Sequence, residues 1–483
     1  DHGAGLQIRA GQELTHCRLL PGEEIRTPLI VMQFWKGGDW IRAQNIWRQW
    51  MLQHNLPRPG GKLPAPQLAG GISGYSGLAL MFNSREEDHI RFLDRYLKEN
   101  IKLDYWWMDL GWFLLPKSYQ KVVGLKDEHE YPLEDLGTFT ADYHRFPKGI
   151  RAISDYCHAH GIKTILWFDP EHIFAGSWQA EKKPQWLLSP PNIPGIESQI
   201  NQGLPLENRK LLNMGNPEAL EWLNNRIAKV LNKEGIDTYR LDYNIEPLIF
   251  WRANDAEDRQ GITENHYVQG FLSHLDDQLR RRPDLLIDNC ASGGMRNDLE
   301  TMRRSVPLWR SDYAGEPVGM QGMTYGIAFW LPYFGHWGGQ LDPYTFRGNM
   351  MPAMIMGHDL RKPVDFEYLR RMIAQWRKIA PYYLGDYYPL TPYSLENNAW
   401  LAWQFDQPET GEGMLQAFRR QDSICLGCQF RLFSLDPAAR YEISNLDTSD
   451  KTIATGQQLM QNGLKIFIEN QPGAVVLVYK KTG

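Results

Sequence analysis

Four segments of this chain run from aromatic or apolar residues into a carboxylate. Tyr105-Trp106-Trp107-Met108 ends in Asp109, and Ile165-Leu166-Trp167-Phe168 ends in Asp169 with Glu171 two residues on. Thr238-Tyr239-Arg240-Leu241 ends in Asp242, and Pro307-Leu308-Trp309-Arg310-Ser311 in Asp312. A single aspartate after such a run is as often a cap for the next helix or turn. Four together, each in aromatic surroundings, point to glycoside chemistry, which needs two carboxylates facing one bond. Parity narrows the choice: Arg240, Asp242 and Asn244 share one strand face. A guanidinium two residues from Asp242 keeps that carboxylate ionised, as a nucleophile should be. A structural ion pair in the same place is the plain alternative.

The elements that must carry these residues repeat strand then helix. Candidate strands are 69–73, 103–109, 163–168, 235–242, 285–289, 306–312, 325–330 and 353–356. Between them, Ser84-Arg85-Glu86-Glu87 has capping-box spacing, and Asn216-Pro217 places a cap and a first-turn proline ahead of a helix that Gly235 stops. Eight strands alternating with helices predict an α/β fold, a (β/α)8 TIM barrel, whose catalytic groups sit at the C-terminal strand ends. Asp242 on the fourth strand and Asp312 on the sixth would then face each other across the mouth. An open doubly wound sheet is the rival, but no Gly-rich phosphate fingerprint follows the first strand.

The barrel spans residues 67–385. It is preceded by an N-terminal segment and Pro/Gly-rich linker, 1–66, and followed by six short strand patterns in 386–483 that read as an antiparallel β-sandwich. The 483 residues carry 52 Lys+Arg against 57 Asp+Glu, a net charge of −5 without basic clusters, which argues against nucleic-acid binding. No apolar run is long enough to span a membrane. The 12% aromatic content suits a sugar cleft as well as a large core. Five scattered cysteines do not suggest a disulfide scaffold and favour a cytoplasmic location, and no targeting signal is visible.

The motifs Trp107-Met108-Asp109, Leu166-Trp167-Phe168-Asp169-Pro170-Glu171, Arg240-Leu241-Asp242-Tyr243-Asn244, Cys290-Ala291-Ser292-Gly293-Gly294 and Trp309-Arg310-Ser311-Asp312, in that order, resemble the glycoside hydrolase family 36 α-galactosidases. The resemblance covers residues 60 to 483. It implies that Asp242 is the nucleophile and Asp312 the general acid/base of a retaining, exo-acting α-glycosidase, with the two carboxyl groups about 5–5.5 Å apart. It places Asp109, Trp186, Arg240, Cys290 and Gly293 at the sugar, Cys290 and Gly293 near its 2-hydroxyl, and Arg209 as a further candidate. No metal or organic cofactor is needed, because carboxylates fill both catalytic roles. The partner is an oligosaccharide or glycoside, and a homo-oligomer is open because a neighbouring subunit often completes the pocket in this family. The family's large β-domain ahead of the barrel is represented only by residues 1–60, which implies a fragment or a shortened relative.

Four positions depart from the family pattern. Leu110 stands where a second sugar-binding Asp is usual, Arg240 replaces Lys, Tyr313 replaces Asn and Asp169 replaces Glu. A lost charged acceptor at a hydroxyl is enough to change which sugar fits. The alternatives are the same mechanism on N-acetylgalactosamine or a pentose, or a non-catalytic carbohydrate-binding relative. Elsewhere, Cys425-Leu426-Gly427-Cys428 reads as structural thiols, and His158 and His160 have poor metal spacing. His336 and Trp337 follow the expected seventh strand, where they either line the mouth or pack a loop.

Overall fold

The computed structural model describes residues 7–72, 76–191 and 209–482, so Ser73, the expected end of the first strand, lies outside them. Seven parallel strands form one sheet: β1 (Gln67–Ile72), β2 (Tyr105–Met108), β3 (Lys163–Phe168), β4 (Thr238–Leu241), β5 (Leu286–Asn289), β6 (Gly335–Trp337) and β7 (Ala353–Met356). Their order is β5-β4-β3-β2-β1-β7-β6, which leaves β5 and β6 at the edges. Residues 306–310 join these edges. Val306 N donates to Ile287 O and Asn289 N to Val306 O on one side, while Gly335 N donates to Pro307 O and Arg310 N to Gly335 O on the other. This segment is the eighth stave, sixth in chain order, and it closes a TIM barrel.

The expected strand 325–330 is not one. Pro317–Ile327 is a helix, opened by Glu316, whose carboxylate accepts from Val318 N and Gly319 N, with Pro317 in the first turn. Those caps override the strand preference of the aromatic run after them. The actual seventh strand in chain order is Gly335–Trp337, three residues beside Gly338 and Gly339 that read locally as a loop. His336 and Trp337 therefore lie within that strand rather than after it. The helix after Asn216 forms as expected over Pro217–Glu234, with the Asn216 side chain accepting from Glu218 N and Ala219 N, and with Gly235 left-handed at its end. The helix expected to be capped by Ser84 starts at Glu86, and it is Asp88 that accepts from Arg85 N.

Six antiparallel strands follow: β8 (Asp386–Pro389), β9 (Trp400–Gln407), β10 (Glu412–Arg419), β11 (Arg440–Asn445), β12 (Lys451–Thr455) and β13 (Gly473–Lys481), in the order β8-β9-β10-β13-β11-β12. Alternation along β9 and β10 gives this sheet two buried faces. Leu401, Trp403, Phe405, Met414 and Phe418 join the barrel's core, whereas Ala402, Leu415 and Ala417 meet Phe430 and Ile466 of a small two-stranded sheet. The helix Trp40–Trp50 is fastened at this junction by Arg48, which is buried and donates to the carbonyls of Ala328, Tyr383 and Gly385. Among the described residues no helix is long and apolar enough to cross a membrane.

Candidate active site

Asp242 follows β4 and is almost fully buried. Its Oδ1 accepts from Tyr243 N at 2.7 Å and Ser292 N at 3.1 Å, and its Oδ2 accepts from the Trp167 indole at 3.0 Å. Burial alone would push this carboxyl up, but the Arg240 guanidinium and the three N–H donors outweigh it, so Asp242 is held below the ordinary carboxylate range.

Beneath it the strand register assembles a charged layer. Arg240 is level with Trp167 on β3 and Asp288 on β5, and the three side chains share the inward face. Arg240 Nη1 pairs with Asp288 Oδ2, its Nε lies 3.8 Å from Asp109 Oδ2, and its guanidinium stacks 4.4 Å from the Trp107 ring centre. Asp109 itself accepts from Trp107 Nε1 and Leu110 N, both at 2.8 Å. One cation is thus shared among Asp109, Asp242 and Asp288. Leu110 turns to the apolar core, half buried.

After β5 the chain makes an uncommon turn. Ala291, Ser292, Gly293 and Gly294 have φ of 51°, 48°, 80° and 90°, all left-handed, two of them not glycine. The turn aims Ser292 N at Asp242, and Ser292 Oγ donates to Tyr243 O at 2.6 Å. Cys290 is buried beneath it and accepts from Gly293 N through Sγ at 3.4 Å. Burial, reinforced by the Asp242 carboxylate, pushes the Cys290 thiol well up, so it stays protonated. A Cβ on Gly293 would lie 2.2 Å from Asp312 N. Backbone therefore meets backbone here, and the turn sets both the carboxylate of Asp242 and the main chain of Asp312.

Asp312 leaves the sixth stave with one side open to solvent and accepts from Trp309 Nε1 at 2.9 Å. Partial withdrawal from water raises its carboxyl above the ordinary range, and the nearby Asp242 and Asp109 carboxylates add to this against the pull of Trp309 and Arg240. Two carboxyls in one mouth are therefore displaced in opposite directions, the pattern that separates an acid from a nucleophile.

Trp186 is not brought to this mouth. It is buried at 4% exposure, its rings meet Trp178 and Trp222, and its indole donates to Glu218 at 3.2 Å. Arg209 is buried on a short strand, Arg209–Leu212, that pairs with His172–Phe174. Asp169 is buried beside Asn244 and His172, and burial raises its carboxyl. Glu171 is fully buried and takes two bonds from Arg296, at 2.6 and 2.7 Å, and one from Tyr267. It therefore braces the loop after β3. Replacing Arg296 by Met is expected to strand that buried carboxylate and cost about 3–5 kcal/mol, read as a lowered urea midpoint. A change under about 1 kcal/mol would show the pair to be dispensable. A cavity of about 580 Å³ lies on the other side of Arg296 and Tyr267, against the N-terminal segment, and is lined by none of Asp109, Asp242 or Asp312.

Sequence reasoning missed Asp288, Ser292 and the donor roles of Trp167 and Trp309. Asp288 carried only a partial signal, an acid directly after the apolar run Leu285-Leu286-Ile287. Ser292 carried none, because its part is played by a backbone N–H that only the left-handed turn exposes.

A family profile described as Melibiase matches residues 79–335, more than half of the chain. Alpha-galactosidase Mel36A of Lactobacillus acidophilus is 24% identical over 467 residues, covering 94% of this chain and 59% of its own length. Alpha-galactosidase AgaA of Geobacillus stearothermophilus is 22% identical over 470 residues, covering 93% and 59%. Among solved structures, that of a substituted AgaA, a GH36 alpha-galactosidase in complex with raffinose, superposes with a TM-score of 0.74 at 18% identity, covering 92% of this chain and 59% of that one. The chain thus spans about three-fifths of the length of these relatives.

Proposed function

The chain belongs to the melibiase family, of glycoside hydrolase family 36 type, and from that premise we propose that it is a retaining, exo-acting α-galactosidase cleaving terminal α-linked galactose from oligosaccharides or glycosides. The observation that carries this reading is the meeting of two carboxyls at one turn, Asp242 held by three N–H donors beside Arg240 and Asp312 abutting Gly293 with one side open to solvent. Their opposite displacement, Asp242 down and Asp312 up, agrees with it. Asp242 Oδ2, with a single donor, keeps free lone pairs and attacks the anomeric carbon. As that bond forms, the bond to the leaving oxygen breaks and Asp312 gives that oxygen its proton. Asp312, now ionised, takes a proton from water, whose oxygen displaces Asp242 and releases the sugar with its configuration retained. Arg240 and Asp109 bound the buried side of the sugar, with Cys290 and Gly293 beside its 2-hydroxyl. Galactose as substrate is supported by the relatives' names.

Leu110 favours a second reading, the same mechanism on another α-linked sugar, because it supplies no second carboxylate next to Asp109 and packs into the core instead. A panel of p-nitrophenyl α-galactoside, α-N-acetylgalactosaminide, α-glucoside and α-L-arabinoside decides between them. Release from the galactoside supports the first reading, and release only from another sugar supports the second. Silence across the panel would remove both.

The pH dependence has a worked sign. Asp242 must be ionised, so activity falls as pH drops through a value below the ordinary carboxylate range. Asp312 must be protonated, so activity falls as pH rises through a value above that range. The kcat/KM profile is expected to be bell-shaped, and Asp312→Asn, slow throughout, is expected to lose the alkaline limb. An alkaline limb that survives in Asp312→Asn assigns it to another group.

A further inference from the structure

We propose that His336, on β6, is a positioning residue for Asp312, acting through Trp309 and Ser311 rather than through the substrate. The inference rests on the reading of Asp312 as the proton donor. His336 has no exposed surface, and its Nε2 lies 2.8 Å from Ser311 O. A carbonyl oxygen only accepts, so Nε2 carries the hydrogen and the tautomer is settled by this contact. The same ring stacks on Trp309, with centroids 4.1 Å apart and planes 18° from parallel. Trp309 in turn donates its indole N–H to Asp312 Oδ1 at 2.9 Å. One buried ring therefore fixes the acid twice. It holds the carbonyl of the residue just before Asp312, and it sets the plane of the indole that orients the carboxyl.

The backbone around it explains why a side chain is needed. The ladder bonds from β6 to the sixth stave end with Arg310 N to Gly335 O, so Ser311 and Asp312 lie past the last of them. Ser311 Oγ accepts from Tyr313 N at 3.0 Å, a bond within its own loop. His336, one residue beyond Gly335, continues the ladder with its ring where no backbone group of β6 is paired to Ser311. The ring is also held uncharged, since burial and the neighbouring Arg310 lower it to about 3, so it is a donor fixed in one form across the working pH range. Its role is geometric, and it supplies no proton.

A misplaced acid slows substrates in proportion to how much their leaving group needs a proton. That gives a readout which loose packing alone does not move. In the full chain, His336→Phe keeps a ring against Trp309 and removes the donor, whereas His336→Gln can restore an N–H toward Ser311 O. Two glycosides of the sugar that the native protein hydrolyses are compared, the 2,4-dinitrophenyl glycoside, which leaves unaided, and the methyl glycoside, which needs the proton.

His336→Phe is expected to lower kcat/KM on the methyl glycoside by about tenfold or more while changing the dinitrophenyl glycoside by less than about threefold, with the loss mainly in kcat. His336→Gln is expected to recover most of it. Equal losses on both glycosides in His336→Phe, or no recovery in His336→Gln, would overturn the proposal. Asp312→Ala, run alongside, separates it from the reading beneath it. If that variant loses the two glycosides equally, the assignment of Asp312 as acid has failed. If Asp312→Ala discriminates and His336→Phe does not, only the positioning role has failed.

Discussion

Asp242→Gly is expected to reduce turnover by about 10,000-fold or more on the proposed mechanism, in which losing the covalent nucleophile leaves only binding and polarisation. The fold should survive. Arg240 keeps Asp288 and Asp109 as partners, so the variant does not strand the buried cation. The space left by the carboxylate lies between the N–H groups of Tyr243, Ser292 and Trp167, which are donors arranged for an anion. Added azide should therefore enter, attack the anomeric carbon from the same face, and restore turnover of an activated α-glycoside as a β-glycosyl azide. The inverted product is the diagnostic, because a structural Asp242 gives no such rescue. Turnover within about tenfold of the native protein would remove Asp242 from the mechanism.

The second large effect is expected from one methyl group. Gly293→Ala puts a Cβ 2.2 Å from Asp312 N and 3.0 Å from Asp312 Cγ, on a residue already at φ of 80°. Two costs combine. A left-handed alanine alone costs about 1–2 kcal/mol. The overlap cannot be relieved by a rotamer, because the nearest atoms are backbone, so Asp312 must move. A displacement approaching 1 Å at an acid costs about 100-fold in rate. Gly60→Ala is the control, at φ of 61° with nothing within 4 Å of its Cβ. It should show the strain in its unfolding midpoint and leave kcat unchanged. If Gly293→Ala is as active as Gly60→Ala, the turn does not place the acid.

How much of this could be read from the residues depends on which force decides each feature. The barrel was legible because apolar strands and capped helices follow local rules, and the cap at Asn216 and the stop at Gly235 fell where expected. The strand misplaced to 325–330 shows the limit. A proline-led helix with a good cap outweighs aromatic strand preference, and a three-residue strand between glycines has too little pattern to be seen. Parity and strand ends gathered Asp109, Arg240, Asp242 and Asp312 as candidates, and the structure brings them around one guanidinium and one turn. Trp186 is not gathered with them: an indole is equally at home stacked on other indoles, and only tertiary packing tells the two uses apart. Asp288 was missed because a buried acid is meaningful only beside its partner, which lies 48 residues away.

The sixth stave is a seam. Its main chain is stitched to β5 and β6 by few ladder bonds, and side chains or the turn after β5 do the rest. Asp288 accepts from Leu308 N at 2.8 Å, Gly293 abuts Asp312, and His336 holds Ser311. The groups that shut the cylinder are thus the groups that aim Asp312. Evolution can rewrite loops on the other staves to admit a new sugar without disturbing closure, but at this stave the two properties cannot be varied apart. Changes in specificity in this chain should therefore accumulate around Asp109, on the far wall, while the seam stays as it is.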